Sequence, residues 1–566
     1  MVGTSAAVGG HVNMMMDVLI AQLPPEDLRV ACRRMLSDHP SLAPVLRDIV
    51  HHSRRASLVT LPEIDALFPV SNTVTADLLQ YLQDFRLDFL SGLYLRALQR
   101  MSWLVNALVT ASHHGTHEPS EDLRKVLKRV EGDIVQCIQA IKENYADAEE
   151  PPATSLQDAI RELWTNLSAV PELFGLQRAR SQVRDAFLLL FPKGDIPGPH
   201  PWNVEKWELK VDEIGTTIPT VSLGPIDMPR LSIGLWQLSS PAWGMASAKD
   251  IEPSLLDLVS HGFRMADMAD HYGDAEIVFG QFRHSLPKEL NKQMLTCTKW
   301  CVFAAPHGAP TSEWVASKVD ERRTRCGGYL DVLQFHWQNY ADKRYLEIVR
   351  HLIALSRSAP HVVKAIGLVN FDAERTDEIC TYLRDVWEKD GMVISNQVQY
   401  SLIDQRPRFR MADVCLKHGI KLLTYGTYCG GFLSDKWLGK PSPNLYEDFV
   451  TPSLRKYFDM IQLWGGWELF QELLVVLRKI ADEHGNGFDI ANIAAKWVLE
   501  REEVASVIVG TRLGVSSNAE SNLRVFSFSL TENDHSAINA VSVKSNVEQL
   551  FIQMGDCGSE YRHISH

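Results

Sequence analysis

Four residues in the middle of the chain have the types and spacing needed to protonate a developing oxyanion. Asp267 and Tyr272 lie five positions apart, Lys299 ends the next apolar run, and His336 lies near the end of the run after that. A carbonyl group that accepts a hydride gains negative charge on oxygen, so it needs an acid and an orienting donor. We expect Tyr272 to donate the proton, with Lys299 lowering its pKa and Asp267 keeping that lysine charged. His336 would orient the carbonyl oxygen, and no metal is required.

Each of these residues also has an ordinary structural role open to it. Asp267 could cap a helix, Lys299 could be a solvated strand end, Tyr272 could pack within its loop, and His336 could be a hydrogen-bonded core histidine. Taken singly, these roles are more common than catalysis. Four complementary groups at the ends of consecutive strands favour the catalytic interpretation.

The elements that must position these groups are eight short apolar runs that alternate with longer helical patterns. This alternation predicts an α/β fold, a (β/α)8 TIM barrel, in which functional groups lie where the strands end. A hairpin within Trp207–Leu223 could precede the barrel. The predicted strands are Leu231–Trp236, Phe263–Asp267, Met294–Trp300, Val332–Trp337, Val363–Asn370, Val393–Ser401, Ile420–Gly426 and Ala505–Gly510.

The first third of the chain has a different pattern, because its apolar residues recur every three or four positions, as in a helix. Breaks fall at Pro24–Pro25, at His113–Pro119 and at Glu149–Pro152. A stretch rich in proline and glycine then separates this part from the strands. We expect the barrel to close without the helical part. The predicted division is an all-α helical domain of unknown role over 1–192, a linker over 193–206, the barrel over 207–547 and a tail over 548–566.

Composition and charge exclude several classes of protein. Hydrophobic residues make up 45% of the chain and charged residues 22%, as in globular proteins. The net charge of −13 argues against nucleic acid and anionic membranes as partners. The longest apolar stretch, Phe89–Ser112, contains Arg96 and Arg100, so we predict an amphipathic helix rather than a membrane span.

The cysteines and the first residues of the chain predict a cytoplasmic protein. Nine cysteines without a repeating spacing fit free thiols in a reducing compartment. Cys297 and Cys301 have no second pair of ligands nearby, so we predict no metal site. Residues Met1–Met16 lack a basic region followed by a long apolar run, so we expect no secretory signal.

The motifs around the four candidate residues resemble those of the aldo-keto reductase family. The run from Gly262 to Gly273 (GFRMADMADHYG) is similar to the family segment that carries the catalytic aspartate and tyrosine, and Glu276 follows as expected. Thr298–Trp300 resembles the catalytic lysine strand, and Tyr329–Trp337 (YLDVLQFHW) resembles the histidine strand. The resemblance covers all eight strand–helix units. It implies reduction of an aldehyde or ketone, or the reverse reaction, with NADP as the cofactor.

The same resemblance assigns residues to the nicotinamide end of the cofactor. Asn370 and Gln397 lie where the family binds the carboxamide, and Tyr425 resembles the ring that stacks on the nicotinamide. Gly234 and Trp236, at the end of the first barrel strand, are also assigned to cofactor binding. Amides at strand ends also satisfy loop backbone, and a tyrosine there can simply pack.

A second group of residues resembles the family's adenosine-phosphate loop and the helix after it. Gly510 permits close approach of the backbone, Thr511 offers a hydroxyl, and Arg512 offers a planar donor to a 2′-phosphate. Asn518 and Asn522 follow in the helix. Pairing of Arg512 with a surface acid is the alternative.

Two departures from the family pattern affect the cofactor site, and neither touches the catalytic four. Val369 stands where the family usually has a serine before Asn370, so one carboxamide contact is missing or replaced by backbone. The phosphate loop is also about two residues longer around Leu513–Gly514. The long loops Ser239–Ser247 and Thr427–Gly466 are rich in aromatic residues, and they would surround a small carbonyl substrate.

Two other functions stay open. The barrel could be a cofactor-sensing or regulatory subunit of a larger assembly with little catalytic activity. Alternatively, the helical domain could bind a protein partner and carry the reductase with it.

Overall fold

The computed structural model describes residues 19–69, 73–113, 118–145, 152–197, 217–239, 242, 244, 246–446 and 450–562. Most of the predicted linker and most of the predicted hairpin segment Trp207–Leu223 lie outside these residues. The described residues form a helical region that is followed by a closed barrel. No described helix has both the length and the apolar character needed to cross a bilayer.

Eight α-helices of the helical region lie wholly within the described residues. The predicted breaks agree with the observed ends, because one helix begins at Pro25 and another ends at His113. The apolar stretch Phe89–Ser112 is divided by a turn at Gly92, whose φ of 84° suits glycine. The helices are α1 (Pro25–Asp38), α2 (Leu42–Ala56), α3 (Ile64–Leu67), α4 (Ala76–Leu90), α5 (Tyr94–His113), α6 (Glu121–Tyr145), α7 (Thr154–Ala169) and α8 (Gln177–Leu190).

One buried carboxylate links three of these helices through hydrogen bonds. Asp88 on α4 is fully buried and accepts hydrogen bonds from three guanidinium groups, those of Arg54, Arg96 and Arg100. The Nε atom of Arg100 lies 2.7 Å from an Asp88 oxygen. This cluster therefore lies within the helical region and does not reach the barrel.

Two short strands, β1 (Thr220–Leu223) and β2 (Ile226–Pro229), form an antiparallel hairpin before the barrel. Leu223, Ile226 and Met228 are buried against apolar side chains that enter the barrel interior from seven strands. The hairpin therefore closes the end of the barrel at which the strands begin.

Eight parallel strands form a closed barrel in which each strand pairs with the next in sequence and the last pairs with the first. The predicted barrel fold is confirmed. The strands are β3 (Leu231–Gly234), β4 (Met265–Asp267), β5 (Leu295–Val302), β6 (Leu330–Trp337), β7 (Val363–Val369), β8 (Val393–Gln399), β9 (Lys421–Tyr425) and β10 (Val504–Gly510).

Helices cover the outside of the barrel, so its strands are buried on both faces. Every residue of β6 and of β8 is buried. The helices are α9 (Ala248–Ser260), α10 (Ala275–Ser285), α11 (Lys288–Asn291), α12 (Ser312–Arg325), α13 (Arg344–Ser358), α14 (Ala373–Trp387), α15 (Met411–His418), α16 (Pro452–Trp464), α17 (Gly466–His484), α18 (Ile490–Leu499), α19 (Ala519–Leu523), α20 (Glu532–Ser542) and α21 (Val547–Met554).

Helix α8 contacts the barrel through a buried ion pair. The guanidinium of Arg178 donates to both carboxylate oxygens of Asp274, over 2.8 and 2.7 Å, and to the carbonyl oxygen of Ala246 over 2.9 Å. Asp274 is fully buried, so removing only the arginine would leave an unpaired charge at a cost of roughly 3–5 kcal/mol. We predicted that the barrel closes without the helical region. This stays a prediction, and the interface argues against it.

Glu131 on α6 caps the first turn of α8. Its carboxylate accepts a hydrogen bond of 2.8 Å from the backbone N–H of Arg178 and a second from that of Ala179, groups that have no partner within the helix. Burial raises the pKa of Glu131 to about 7, with a contribution from Asp274, although Arg178 opposes the shift. The protonated form is therefore favoured in the folded protein relative to the unfolded chain.

We predict that Glu131→Gln removes a pH-dependent loss of stability. Between the ordinary glutamate pKa of 4.5 and the folded value of about 7, the folded protein binds more protons, so its unfolding free energy falls as pH rises. Glutamine keeps the acceptor oxygen without the charge. Urea unfolding should therefore show the variant close to wild type at pH 5 and roughly 2–3 kcal/mol more stable at pH 8. The exposed Glu162→Gln is the control, and an equal stability difference at both pH values would contradict the assignment.

Candidate active site

The four candidate catalytic residues lie at the ends of three neighbouring strands, where the barrel opens. Asp267 ends β4, Lys299 and His336 lie on β5 and β6, and Tyr272 follows β4. Within β5 and β6, Cys301 pairs with His336 in the sheet register. The structure therefore brings these side chains to one mouth of the barrel.

Asp267 and Lys299 form a buried ion pair. The Lys299 Nζ atom donates to an Asp267 oxygen over 2.6 Å and to the carbonyl oxygen of Met268 over 2.8 Å. The same nitrogen lies 4.8 Å from the centre of the Tyr272 ring. The lysine is therefore placed between a carboxylate and the phenol, as its expected role requires.

The pKa of the phenol differs from the sequence-based expectation. Burial raises the pKa of Tyr272 above its ordinary value, and Lys299 opposes this effect without reversing it. Burial alone would lower the pKa of Lys299, but the Asp267 carboxylate outweighs burial and raises it. Lys299 thus lowers the Tyr272 pKa as expected, but burial raises this pKa by more, because the loss of solvation destabilises the phenolate more than one ammonium stabilises it. Tyr272 is therefore held protonated and Lys299 charged.

Two glutamines hold the second oxygen of Asp267. Gln334 and Gln397 each donate an amide N–H to that oxygen over 2.8 Å, and the Gln397 amide also donates to the Gln334 carbonyl over 2.9 Å. Gln397 is assigned to the carboxamide from sequence, whereas its nitrogen here faces Asp267. Gln334 was missed, although it lies two positions before His336 on a strand, which places it on the same face.

The loop between Asp267 and Tyr272 also brings together three groups that could ligate a metal. They are Asp270, His271 and Cys301, whose ligand atoms lie within 4.8 Å of one another. The guanidinium of Arg322 pairs with Asp270 in this cluster. Burial also raises the pKa of the Cys301 thiol well above its ordinary value, which opposes the thiolate that a metal needs. This chemistry fits an ion pair better than a metal site.

At the ends of β7 and β9, Asn370 and Tyr425 contact each other. The Tyr425 hydroxyl donates to the Asn370 side-chain oxygen over 2.9 Å, and Asn370 has a left-handed φ of 58°. A third residue, Tyr561 from the C-terminal segment, has its hydroxyl 3.1 Å from that of Tyr425 and 2.6 Å from Lys456 Nζ. Two of the residues assigned to the nicotinamide end therefore meet, and the C-terminal segment contacts them.

The segment after α21 is anchored across the barrel mouth rather than free as a tail. Arg562 donates to the carbonyl oxygen of Asn370 and to the Tyr340 hydroxyl. Glu560 accepts two hydrogen bonds from the buried guanidinium of Arg406, at 2.8 and 3.0 Å. The sequence pattern did not indicate this return, because the residues it pairs are more than 100 positions apart.

The residues assigned to the adenosine phosphate line one cleft beside β10. Thr511 donates its backbone N–H and its hydroxyl to the carbonyl oxygen of Gly234, over 3.1 and 2.9 Å. A Cβ atom at Gly510 would overlap the side chain of Gln237, so the backbone there approaches its neighbour closely. Residues from the assigned set that line the cleft are Gly510, Thr511, Arg512, Asn518 and Asn522.

The first barrel loop flanks this cleft. Trp236 begins a short 3-10 helix, Trp236–Ser239, two residues after Gly234. A Cβ atom on Gly244 would lie 3.4 Å from an Arg512 guanidinium nitrogen, so this loop passes close to the arginine. Within the predicted substrate loop Ser239–Ser247, residues 240, 241, 243 and 245 lie outside the described part of the chain.

Comparison with known proteins gives relatives of two kinds. L-glyceraldehyde 3-phosphate reductase of Escherichia coli is 21% identical over 301 residues, which cover 50% of this chain and 80% of that protein. Flagellar radial spoke protein 5 of Chlamydomonas reinhardtii is 30% identical over 186 residues, or 30% of this chain and 33% of that protein. This chain therefore matches about a third of the length of the radial spoke protein.

Among solved structures, a glycerol dehydrogenase from Gluconobacter oxydans is similar, with 20% identity and a TM-score of 0.47 over 58% of this chain and 96% of that one. The model of the Aldo/keto reductase family matches residues 230–543, which is more than half of the chain and contains all four candidate catalytic residues. The chain therefore belongs to the aldo/keto reductase family, whose members are oxidoreductases that act on carbonyl compounds with nicotinamide cofactors.

Proposed function

We propose that the protein is an NADP-dependent reductase of aldehydes or ketones, with Tyr272 as the general acid. The observation that carries this proposal is the buried Lys299–Asp267 pair beside the Tyr272 ring, with His336 on the next strand. This set supplies a proton, a fixed positive charge and an orienting donor, which together stabilise a carbonyl oxygen that becomes negative.

Each residue has one step in this reaction. When bound, NADPH supplies the hydride that reaches the carbonyl carbon. Tyr272 gives its hydroxyl proton to the carbonyl oxygen, and the positive charge of Lys299 stabilises the phenolate that remains. Asp267 keeps Lys299 protonated and in place, and His336 donates a hydrogen bond to the same oxygen. Because these groups neutralise the charge, the step proceeds without a metal.

The cleft beside β10 has a donor set that fits the phosphate end of NADP. Arg512 is exposed on this cleft and offers a charged donor, while Thr511 and the two asparagines offer neutral ones. The guanidinium favours NADP over NAD, because only NADP carries a 2′-phosphate. We assign the nicotinamide end to Asn370, Gln397 and Tyr425, with Gly234 and Trp236 at its edge, as the family pattern implies.

Two further observations bear on the substrate class and on the compartment. L-glyceraldehyde 3-phosphate is a reasonable first compound for assay, since one relative is named for its reduction. All nine cysteines lie among the described residues and none is in a disulfide, which supports a reducing compartment such as the cytoplasm. The helical domain could in addition bind a protein partner.

A second candidate function is that of a non-catalytic subunit in a larger assembly. Two observations favour it: one relative is named as a flagellar radial spoke protein, and Tyr561 and Arg562 contact the residues assigned to the nicotinamide. Steady-state oxidation of NADPH with a panel of aldehydes and ketones separates the two. Turnover supports the reductase, whereas tight binding of NADPH without turnover supports the subunit.

We predict that Tyr272→Phe retains the fold and NADPH binding but lowers carbonyl reduction by ~10²-fold or more, as expected for loss of a general acid. The measurement is turnover under conditions in which chemistry is rate-limiting. Tyr329→Phe, near the start of β6 and far from the mouth, should keep wild-type turnover. Wild-type rates in Tyr272→Phe would mean that another group donates the proton.

We predict that Arg512→Ala weakens NADPH binding by about 10-fold and leaves NADH binding nearly unchanged. A charge-assisted contact of about 1.5 kcal/mol, the lower end of the usual range, is expected for an exposed guanidinium. Fluorescence titration with both cofactors measures the change in selectivity. Arg524→Ala is the control, because Arg524 pairs with Glu520 and the Gly487 carbonyl outside the cleft. Equal losses for both cofactors would count against recognition of the 2′-phosphate.

A further inference from the structure

The loop that carries Tyr272 is fixed to the barrel at its start. Asp270 accepts a hydrogen bond of 3.1 Å from the Cys301 backbone and pairs with the guanidinium of Arg322. The backbone N–H of Asp270 also reaches the carbonyl oxygen of Lys299 over 3.3 Å. These contacts hold only the residues that precede the tyrosine.

The far side of the same loop is held by the helical region. Arg178 on α8 binds both oxygens of Asp274, which is two residues beyond Tyr272. Gln182, also on α8, donates to the Gly273 carbonyl over 3.4 Å and to the Gln139 side chain over 3.2 Å. Gln139 on α6 in turn donates to the carbonyl of Asp270 over 3.3 Å. Side chains from two helices therefore reach the backbone on both sides of the tyrosine.

At Asp274, the ion pair with Arg178 replaces the capping hydrogen bond that is usual at this position. Asp274 is the N-cap residue of α10, a position where an aspartate usually accepts a hydrogen bond from the first turn of its own helix. Its side chain makes no such bond, and both of its oxygens accept from Arg178 instead. Gly273 beside it has a φ of 61°, and a Cβ there would lie 3.1 Å from Val135 on α6. The loop therefore packs closely against the helical region.

We propose that the helical domain contributes to the active site. Its residues Arg178 and Gln182 are positioning residues that hold Tyr272 over the substrate carbonyl. The inference deepens the proposed function and rests on it. The two residues act through the loop and do not touch the reacting atoms. Their loss should mainly reduce kcat, because a displacement of about 1 Å at a reacting group can cost up to ~10²-fold in rate.

Two interface variants and one matched control test the proposal in the full-length protein. Arg178→Met should lower kcat by ~10-fold or more, and Gln182→Met, which removes two neutral hydrogen bonds at similar volume, should lower it less. Arg178→Lys, which keeps the charge but loses the paired geometry, should lie between wild type and Arg178→Met. Arg100→Met is the control, because it removes a buried arginine that pairs with Asp88 inside the helical region.

Three readouts distinguish positioning from general loss of structure. NADPH affinity should stay within experimental error of wild type in Gln182→Met, because its contacts do not reach the loop beside Arg512, while kcat falls in both interface variants. Hydrogen–deuterium exchange of peptides covering residues 268–276 should be faster in both interface variants and unchanged in Arg100→Met. Wild-type kcat in both interface variants, or an equal fall of kcat in the control, would overturn the proposal.

The exchange measurement also separates this inference from the proposed function. If the wild-type protein turns over no carbonyl compound, the reductase assignment fails, and the positioning role is judged by exchange alone. Faster exchange at 268–276 in Arg178→Met and Gln182→Met, but not in Arg100→Met, then supports the inference that these two residues hold the loop in place. Unchanged exchange in the two interface variants overturns it.

Discussion

The rest of the site depends on the buried ion pair between Asp267 and Lys299. A carboxylate and an ammonium removed from water are stable only if hydrogen bonds satisfy both, and here Met268, Gln334 and Gln397 complete the set. This requirement fixes the ends of four barrel strands relative to one another. It also places one fixed positive charge beside the Tyr272 ring, in surroundings that otherwise keep the phenol protonated.

The fold and the placement of the catalytic groups could be predicted because they depend on local patterns. Alternation of apolar strands and helices requires parallel pairing, and parallel pairing brings strand ends to one mouth. Asp267, Lys299 and His336 could therefore be placed together from spacing alone. The direction in which the Tyr272 pKa shifts could not be predicted, since it depends on how much water the assembled loops exclude. The partner of the Gln397 amide could not be predicted either, because it is Asp267, a residue 130 positions away.

Contacts between distant parts of the chain account for what the sequence did not predict. Arg178 and Asp274 are 96 positions apart, and Tyr561 lies 136 positions beyond Tyr425. No periodicity links such residues, and each looks like a surface polar group in its own segment. The predicted division into a helical domain and a barrel describes the sequence pattern well, but these contacts make the two parts share the loop that bears Tyr272. Arg178 and Gln182 are therefore buried between the two parts, where they bind the loop that bears Tyr272.

The most direct test of the account is transfer of deuterium from the cofactor to the product. The protein is incubated with a carbonyl substrate and NADPH deuterated at C4 of the nicotinamide, and the alcohol is analysed by mass spectrometry. The account predicts that the wild-type alcohol carries one deuterium on the former carbonyl carbon and that Tyr272→Phe forms this product far more slowly. NADPH oxidation that yields no deuterated alcohol with any carbonyl compound of the panel would contradict it.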